Sequence, residues 1–206
     1  MKKIKVRIKF TEPVLGGTPM NQEIYRDFIA SKAPEGKDVE DEFEYLEADD
    51  QIQKGKTTFP QDDNGQPFLW DYHIKGFLKS ACHALRTIKG TKSSAIKAYK
   101  KVIDENIFVE PRMIYFENAE PMRECQRPLR AQTPLGERVA LAISDEIPAG
   151  AEMEFTISAF NEDHEKVILE WLRYGEFNGL CQWRNSGKGR FKTLSVEVEK
   201  EKGFWE

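Results

Sequence analysis

Ile4, Val6, Ile8 and Phe10 alternate with Lys3, Lys5, Arg7 and Lys9. That period of two predicts a strand over 3–10 with one face on a core and one basic face outside. Pro13, Gly16, Gly17 and Pro19 break the chain, and 20–30 reads as a short helix turning Ile24 and Phe28 inward. In the segment after it, Val39, Phe43 and Leu46 recur at helical spacing, the pattern of an amphipathic arm laid on another surface. Asp62-Asp63-Asn64-Gly65 marks a turn, and 67–70 leads into the most regular periodicity of the chain. There Ile74, Phe77, Leu78, Ala81, Leu85 and Ile88 fall on one helical face behind Asp71 as N-cap, with Lys75, Lys79 and Arg86 off that stripe. A second, basic helix is expected over 93–103.

Beyond it the pattern is mostly that of strands. Ile107 to Val109 and Met113 to Phe116 are short extended pieces, and Val139, Leu141 and Ile143 alternate after a Pro134-Leu135-Gly136 turn. Met153, Phe155, Ile157 and Ala159 alternate again after Pro148-Ala149-Gly150. A helix over 165–174 turns Val167, Ile168, Trp171 and Leu172 inward, and Leu194, Val196 and Val198 form the last strand. The order is strand, helix, strands, helix, strand. It predicts an α+β, ferredoxin-like antiparallel sheet (the RRM-like βαββαβ arrangement) with its helices on one face, elaborated by insertions.

Charge changes that picture. The 206 residues carry 31 Lys and Arg against 35 Asp and Glu, a formal charge of −4. Nine acids and one base fall within 35–53, a local −8, so the rest of the chain is +4. Eight bases and no acid occupy 73–101, and 177–196 holds Arg184, Lys188, Arg190 and Lys192, again without an acid. Such clusters are electrostatic footprints for a polyanion. No apolar run approaches the roughly 18–20 residues of a membrane helix, and the N-terminus alternates instead of building a signal-peptide core. A cytoplasmic protein without a membrane partner is expected. Cys82, Cys125 and Cys181 are odd in number and widely spaced, and with His83 they show no ligand spacing, so neither a disulfide framework, a metal nor another cofactor is expected.

The stretch from Gly179 to Phe191, with Trp183, Arg184, Gly187, Lys188, Gly189 and Arg190, is the most informative one. Glycine reaches positive φ and admits a close backbone, so Gly187 and Gly189 between cations can present N–H groups to a phosphate. The P-loop spacing is absent, and a strand follows where a dinucleotide fingerprint needs a helix. Gly187-Lys188-Gly189-Arg190-Phe191, placed between the second helix and last strand of a ferredoxin-like domain, resembles the G-x-G-[RK]-[FY] element of the RAMP superfamily, the RNA-binding subunits of CRISPR effector and processing complexes. Ile74-Lys75-Gly76-Phe77-Leu78-Lys79-Ser80-Ala81 resembles the segment opening that family's first helix, with Ile74-Lys75-Gly76 where a P-G is usual. Arg127-Pro128-Leu129-Arg130 through Glu146-Ile147-Pro148-Ala149-Gly150 and on to Phe155 resembles its central hairpin. The chain is also similar to small proteins encoded by phages of Gram-positive bacteria, whose place of action would be the host cytoplasm.

The resemblance implies one RAMP-like domain over 1–206, with an insertion at 11–70 that contains the acidic arm at 35–53 and a second at 89–122. It implies single-stranded RNA bound along a basic cleft between the glycine-rich loop and the first helix, and protein partners in an oligomer or nucleoprotein assembly. The phosphate contacts expected are Lys75, Lys79, Arg86, Arg130, Arg138, Arg184, Lys188 and Arg190, with Gly187 and Gly189 allowing close approach. Trp183, Phe191 or Tyr72 are candidates to stack on bases. A metal-independent endoribonuclease is the alternative. Its candidates are His73 and His83, which lie almost three helical turns apart and cannot form one acid–base pair on that helix. Asp27, on the helix read over 20–30, does not match the loop aspartate of cutting subunits. A third reading is an interaction protein whose acidic arm docks on a nucleic-acid-binding partner.

Overall fold

The computed structural model describes residues 1–19, 56–133, 136–161 and 163–200, and the side chains of these except 19 and 129–140. The helix read over 20–30, with Asp27, and the acidic arm at 35–53 lie outside the described residues.

The first strand forms as its alternation dictates. β1 (Lys2–Phe10) buries Ile4, Val6, Ile8 and Phe10 and turns its cations to the other face. It pairs antiparallel with both β10 (Glu152–Ala159) and β11 (Phe191–Lys200), and β10 pairs antiparallel with β6 (Ile107–Glu110). The sheet order β11-β1-β10-β6 is fourth, first, third and second in chain order, the ferredoxin-like arrangement. The stretch 89–122, expected as an insertion, supplies β6 to this sheet through the pairing of Ile107 with Ala159 and Val109 with Ile157.

Three helices are described, α1 (Asp71–Leu85), α2 (Tyr99–Asn106) and α3 (His164–Tyr174). Ile74, Phe77, Leu78, Ala81 and Cys82 of α1 and Val167, Ile168, Trp171 and Leu172 of α3 join the apolar side of β1 in one core. Complete burial is worth about 1.5–3 kcal/mol for each large aliphatic or aromatic side chain, which is what holds both helices to that face. The opposite face is charged. Lys5 pairs with Glu154 at 3.0 Å, Arg7 with Glu152 at 3.0 Å and Glu117 at 2.5 Å, and Lys9 with Glu152 at 3.2 Å. The basic face predicted for β1 is thus answered by acids on its neighbours. No helix among the described residues is long and apolar enough to cross a membrane.

Several boundaries differ from the sequence pattern for identifiable reasons. Asp71 is the first helical residue rather than the cap; its Oδ1 accepts the Tyr72 N–H at 2.8 Å and pairs with Arg112 at 2.5 Å. The helix closes at Leu85, leaving Ile88 exposed. In place of one basic helix over 93–103 there is a 3-10 turn at Lys92–Ala95 and then α2. The turn is held by Glu170 of α3, which accepts the N–H groups of Lys92 at 2.7 Å and Ser93 at 3.1 Å and the Ser93 hydroxyl at 2.5 Å. Leu194 and Val198, read as part of the last strand, are exposed in it. Arg7 faces Ser195 while Ile8 faces Thr193, so Leu194 is the extra residue of a bulge, and β11 is an edge strand with one side uncovered.

Between β6 and β10 the chain builds a second sheet around the hairpin of β8 (Arg123–Thr133) and β9 (Gly136–Ile147), paired from Arg123↔Glu146 to Thr133↔Gly136. β9 also takes β2 (Val14–Leu15) antiparallel and β4 (Thr57–Thr58) parallel, with β3 (Thr18–Pro19) beyond β4. β5 (Phe68–Trp70) pairs with β7 (Met113–Tyr115) just before α1. The first turns of α1 and the base of the hairpin are thereby both placed beside the loop that follows α3.

Candidate nucleic-acid interface

That loop is closed by backbone contacts that only glycine permits. Gly189 (φ 71) donates its N–H to the Pro13 carbonyl at 2.8 Å and accepts the Leu180 N–H at 2.9 Å. A Cβ on Gly189 would lie 2.0 Å from the Leu180 oxygen, and one on Gly179 would lie 2.0 Å from the Gly189 carbonyl carbon. Gly187 (φ 86) donates its N–H to the Arg184 carbonyl at 2.9 Å. The two amides that the sequence offered to a phosphate are therefore committed to backbone carbonyls, Gly187 within the loop and Gly189 to Pro13 outside it.

Two adjoining concavities of about 220 and 260 Å³ lie between this loop and α1, sharing His73 and Cys181. The first is completed by Gly17, Thr18, Phe59, Pro60, Leu69 and Gln182, the second by Tyr72, Gly76, Phe77, Ser80, Leu180 and Arg184. Among the described residues no carboxylate lines either one. Arg184 reaches across to Ser80 of α1, Nη1 to Oγ 3.5 Å. Tyr72 is 49% exposed and stacks on His73 at 4.5 Å between ring centroids. Burial holds the His73 pKa below the ordinary imidazole value, against the opposing pull of the Trp70 carbonyl and Asp71, so at neutral pH this ring is uncharged. Burial pushes the Cys181 thiol up to about 12, which keeps it protonated.

Arg127 enters from β8. Its Nη2 donates to Gln182 Oε1 at 2.8 Å, and its guanidinium lies 4.5 Å from the centroid of the Trp183 ring. Trp183 is 38% exposed and sits in the left-handed region (φ 57, ψ 33), as does Cys181 (φ 65). Lys188 ties the loop to the hairpin a second time, Nζ to Glu146 Oε2 2.7 Å. Arg190 uses its carbonyl to accept the Thr11 N–H at 2.9 Å, and its Nε is buried without a hydrogen-bond partner among the described residues. Phe191 belongs to the core, packed against Phe10 and Phe77.

The cations expected along one cleft are divided by α1. Lys75 donates to the Asp104 carbonyl at 3.0 Å and lies over Phe108, and Lys79 pairs with the Asp104 carboxylate at 2.5 Å. Arg86 lies over Tyr99. These three serve the α2 side of the helix, while His73 and Ser80 face the loop. His83 is also on the α2 side, its Nδ1 3.2 Å from the Tyr99 hydroxyl, so the two candidate histidines face different surroundings. Arg130 and Arg138 lie in β8 and β9, next to Val139 and Ala131 in register, and their side chains are outside the described residues. The contacts expected from the sequence did not include Arg127, Gln182 or Ser80, although Arg127 and Ser80 fall in the family-like stretches. Arg127 carried one signal, a charged residue beside Pro128 in a strand-forming stretch, but nothing local says that its partners are 55 residues away.

No family model matches the chain, and no curated protein matches it. Among solved structures, a chain in the cryo-electron microscopy structure of the type III-B Cmr-beta bound to cognate target RNA is similar, with a TM-score of 0.57 and 15% identity. The match covers 97% of this chain and 61% of that one, so this chain spans under two-thirds of its neighbour's length. At that identity the likeness is one of fold, and it agrees with the strand order and the one-sided helices described above.

Proposed function

We propose that the protein binds single-stranded RNA, without cutting it, in the groove between the glycine-rich loop and α1, as a RAMP-type subunit or modulator of a multi-subunit nucleoprotein assembly. One observation carries this reading: a groove that, among the described residues, no carboxylate lines holds Arg184 and an exposed phenol, Tyr72, and an exposed indole, Trp183, stands in the chain between its lining residues Gln182 and Arg184. Aromatic faces take bases of any sequence, and guanidinium groups take phosphates. The fold shared with a chain of an RNA-bound complex supports the same class of partner.

The informative positions are Trp183 and Arg184, since Lys188 and Arg190 shape the loop. Loss of one base stack costs about 1–3 kcal/mol, roughly five- to 150-fold in affinity. Fluorescence polarisation with a labelled single-stranded RNA should show a Trp183→Ala/Arg184→Glu protein binding at least tenfold more weakly, with wild-type binding falling as salt rises. Unchanged affinity overturns the assignment of the groove. The endoribonuclease alternative narrows to His73, because His83 is engaged with Tyr99. Gel analysis of the same RNA after incubation in EDTA separates binding from cleavage.

A further inference from the structure

Arg127 is the one strongly buried guanidinium among the described residues, 7% exposed. Its Nε and Nη1 are buried with no hydrogen-bond partner among the described residues, and its described contacts are a neutral amide, Gln182, and an indole face, Trp183. Arginine does not shed its proton in a protein, so it cannot relieve this burial by becoming neutral. An uncompensated buried charge is strongly unfavourable, and a buried donor without a partner calls for an explanation in a native structure. The residue covering it is itself held in a left-handed conformation, and strained positions of this kind cluster at ligand clamps. Gln182, which holds Nη2, lines the concavity shared with His73, so the guanidinium sits directly behind the groove wall.

We infer that Arg127 and Trp183 form an anion subsite that is closed in this structure and opens when the indole leaves the guanidinium to stack on a nucleobase, freeing Arg127 to bind a phosphodiester. This deepens the proposed function and rests on it for the identity of the ligand. Both halves of the exchange conserve contacts. The indole trades a cation face for a base face, and the orphaned N–H donors gain anionic oxygens in the geometry that a guanidinium fork matches. A nucleic acid is favoured over an acidic peptide because the groove beside the subsite offers stacked aromatic rings, Tyr72 on His73, a surface that takes a base face.

Two probes, inorganic phosphate at constant ionic strength read by thermal shift and a labelled single-stranded RNA read by polarisation, separate the subsite from the wider reading. Wild-type protein should gain thermal stability with phosphate. Arg127→Met should fold at least as stably as wild type without phosphate, show no phosphate response, and bind RNA at least tenfold more weakly. Its slope of log affinity against log salt should be shallower by roughly 0.7. Trp183→Ala uncovers the cation without removing it, so it should respond to phosphate more strongly than wild type while binding RNA more weakly. Opposite signs from one substitution are not expected of a merely structural cation–π contact. A phosphate response that persists in Arg127→Met overturns the subsite, as does one that Trp183→Ala leaves unchanged, and the second test holds even if Arg127→Met does not fold. Wild-type protein that shows the Arg127-dependent phosphate response but binds neither this RNA nor others refutes the RNA reading and leaves the anion subsite standing.

Discussion

Gly76 occupies the interior of α1, where glycine is the least favourable residue after proline. Among the described residues a Cβ built on it meets nothing within 4 Å, and it lines the groove beside Tyr72, Ser80 and Arg184. The fold therefore has no steric use for this glycine, and its backbone is helical. Gly76→Ala should recover the full helix-propensity difference, about 0.8–1.0 kcal/mol. For a chain of this size that is about 2–4 °C in melting temperature. The same open space makes the position a probe of the groove. Gly76→Glu introduces a carboxylate where the described lining has none, and even the water-screened repulsion from a phosphate at 4 Å is about 1 kcal/mol, near fivefold in affinity. Thermal denaturation by circular dichroism and RNA polarisation on both variants make the comparison. A melting temperature lowered by Gly76→Ala would show that the fold needs the glycine. Wild-type RNA affinity in Gly76→Glu would show that RNA does not run through the groove.

Two further outcomes follow from the loop and the buried rings. Gly189→Ala should cost about 2–5 kcal/mol, from the left-handed backbone and two displaced hydrogen bonds. Gly187→Ala, whose Cβ would meet the Arg190 guanidinium as its nearest neighbour at 3.4 Å, should cost about 1–2 kcal/mol; equal losses in chemical denaturation would refute the clasp between Gly189 and Leu180. Burial holds both His73 and His164 below the ordinary imidazole pKa. In the unfolded chain they protonate near about 6.5, so below that pH the unfolded state binds more protons and stability falls on acidification. A His73→Asn/His164→Asn protein should lose less melting temperature than wild type between pH 7.5 and 5.5, and an equal loss would refute the role of these two rings.

Period-two and period-3.6 patterns carried β1, β10, α1 and α3 because each buries one face, and the face is written into consecutive residues. Ile107 and Val109 were legible as a strand, yet only their pairing with β10 makes them part of the core sheet. The exposure of Leu194 was illegible, since the bulge that flips it is a relation between β11 and β1. The glycine-rich loop was legible from composition, whereas the use of its amides was not: Pro13 and Leu180 accept or supply those bonds only once the loop is folded.

Charge shows the same division more sharply. The sequence alone determined that cations gather in 73–101 and 177–196, because composition is local. Tertiary structure decided which partner each cation of the chain meets. Lys75 and Lys79 meet Asp104 because α2 docks beside α1, and Arg127 meets Gln182 and Trp183 because the hairpin lies against the loop. A charge acts through its nearest partners and its exposure to water, and both are set by segments distant in the chain.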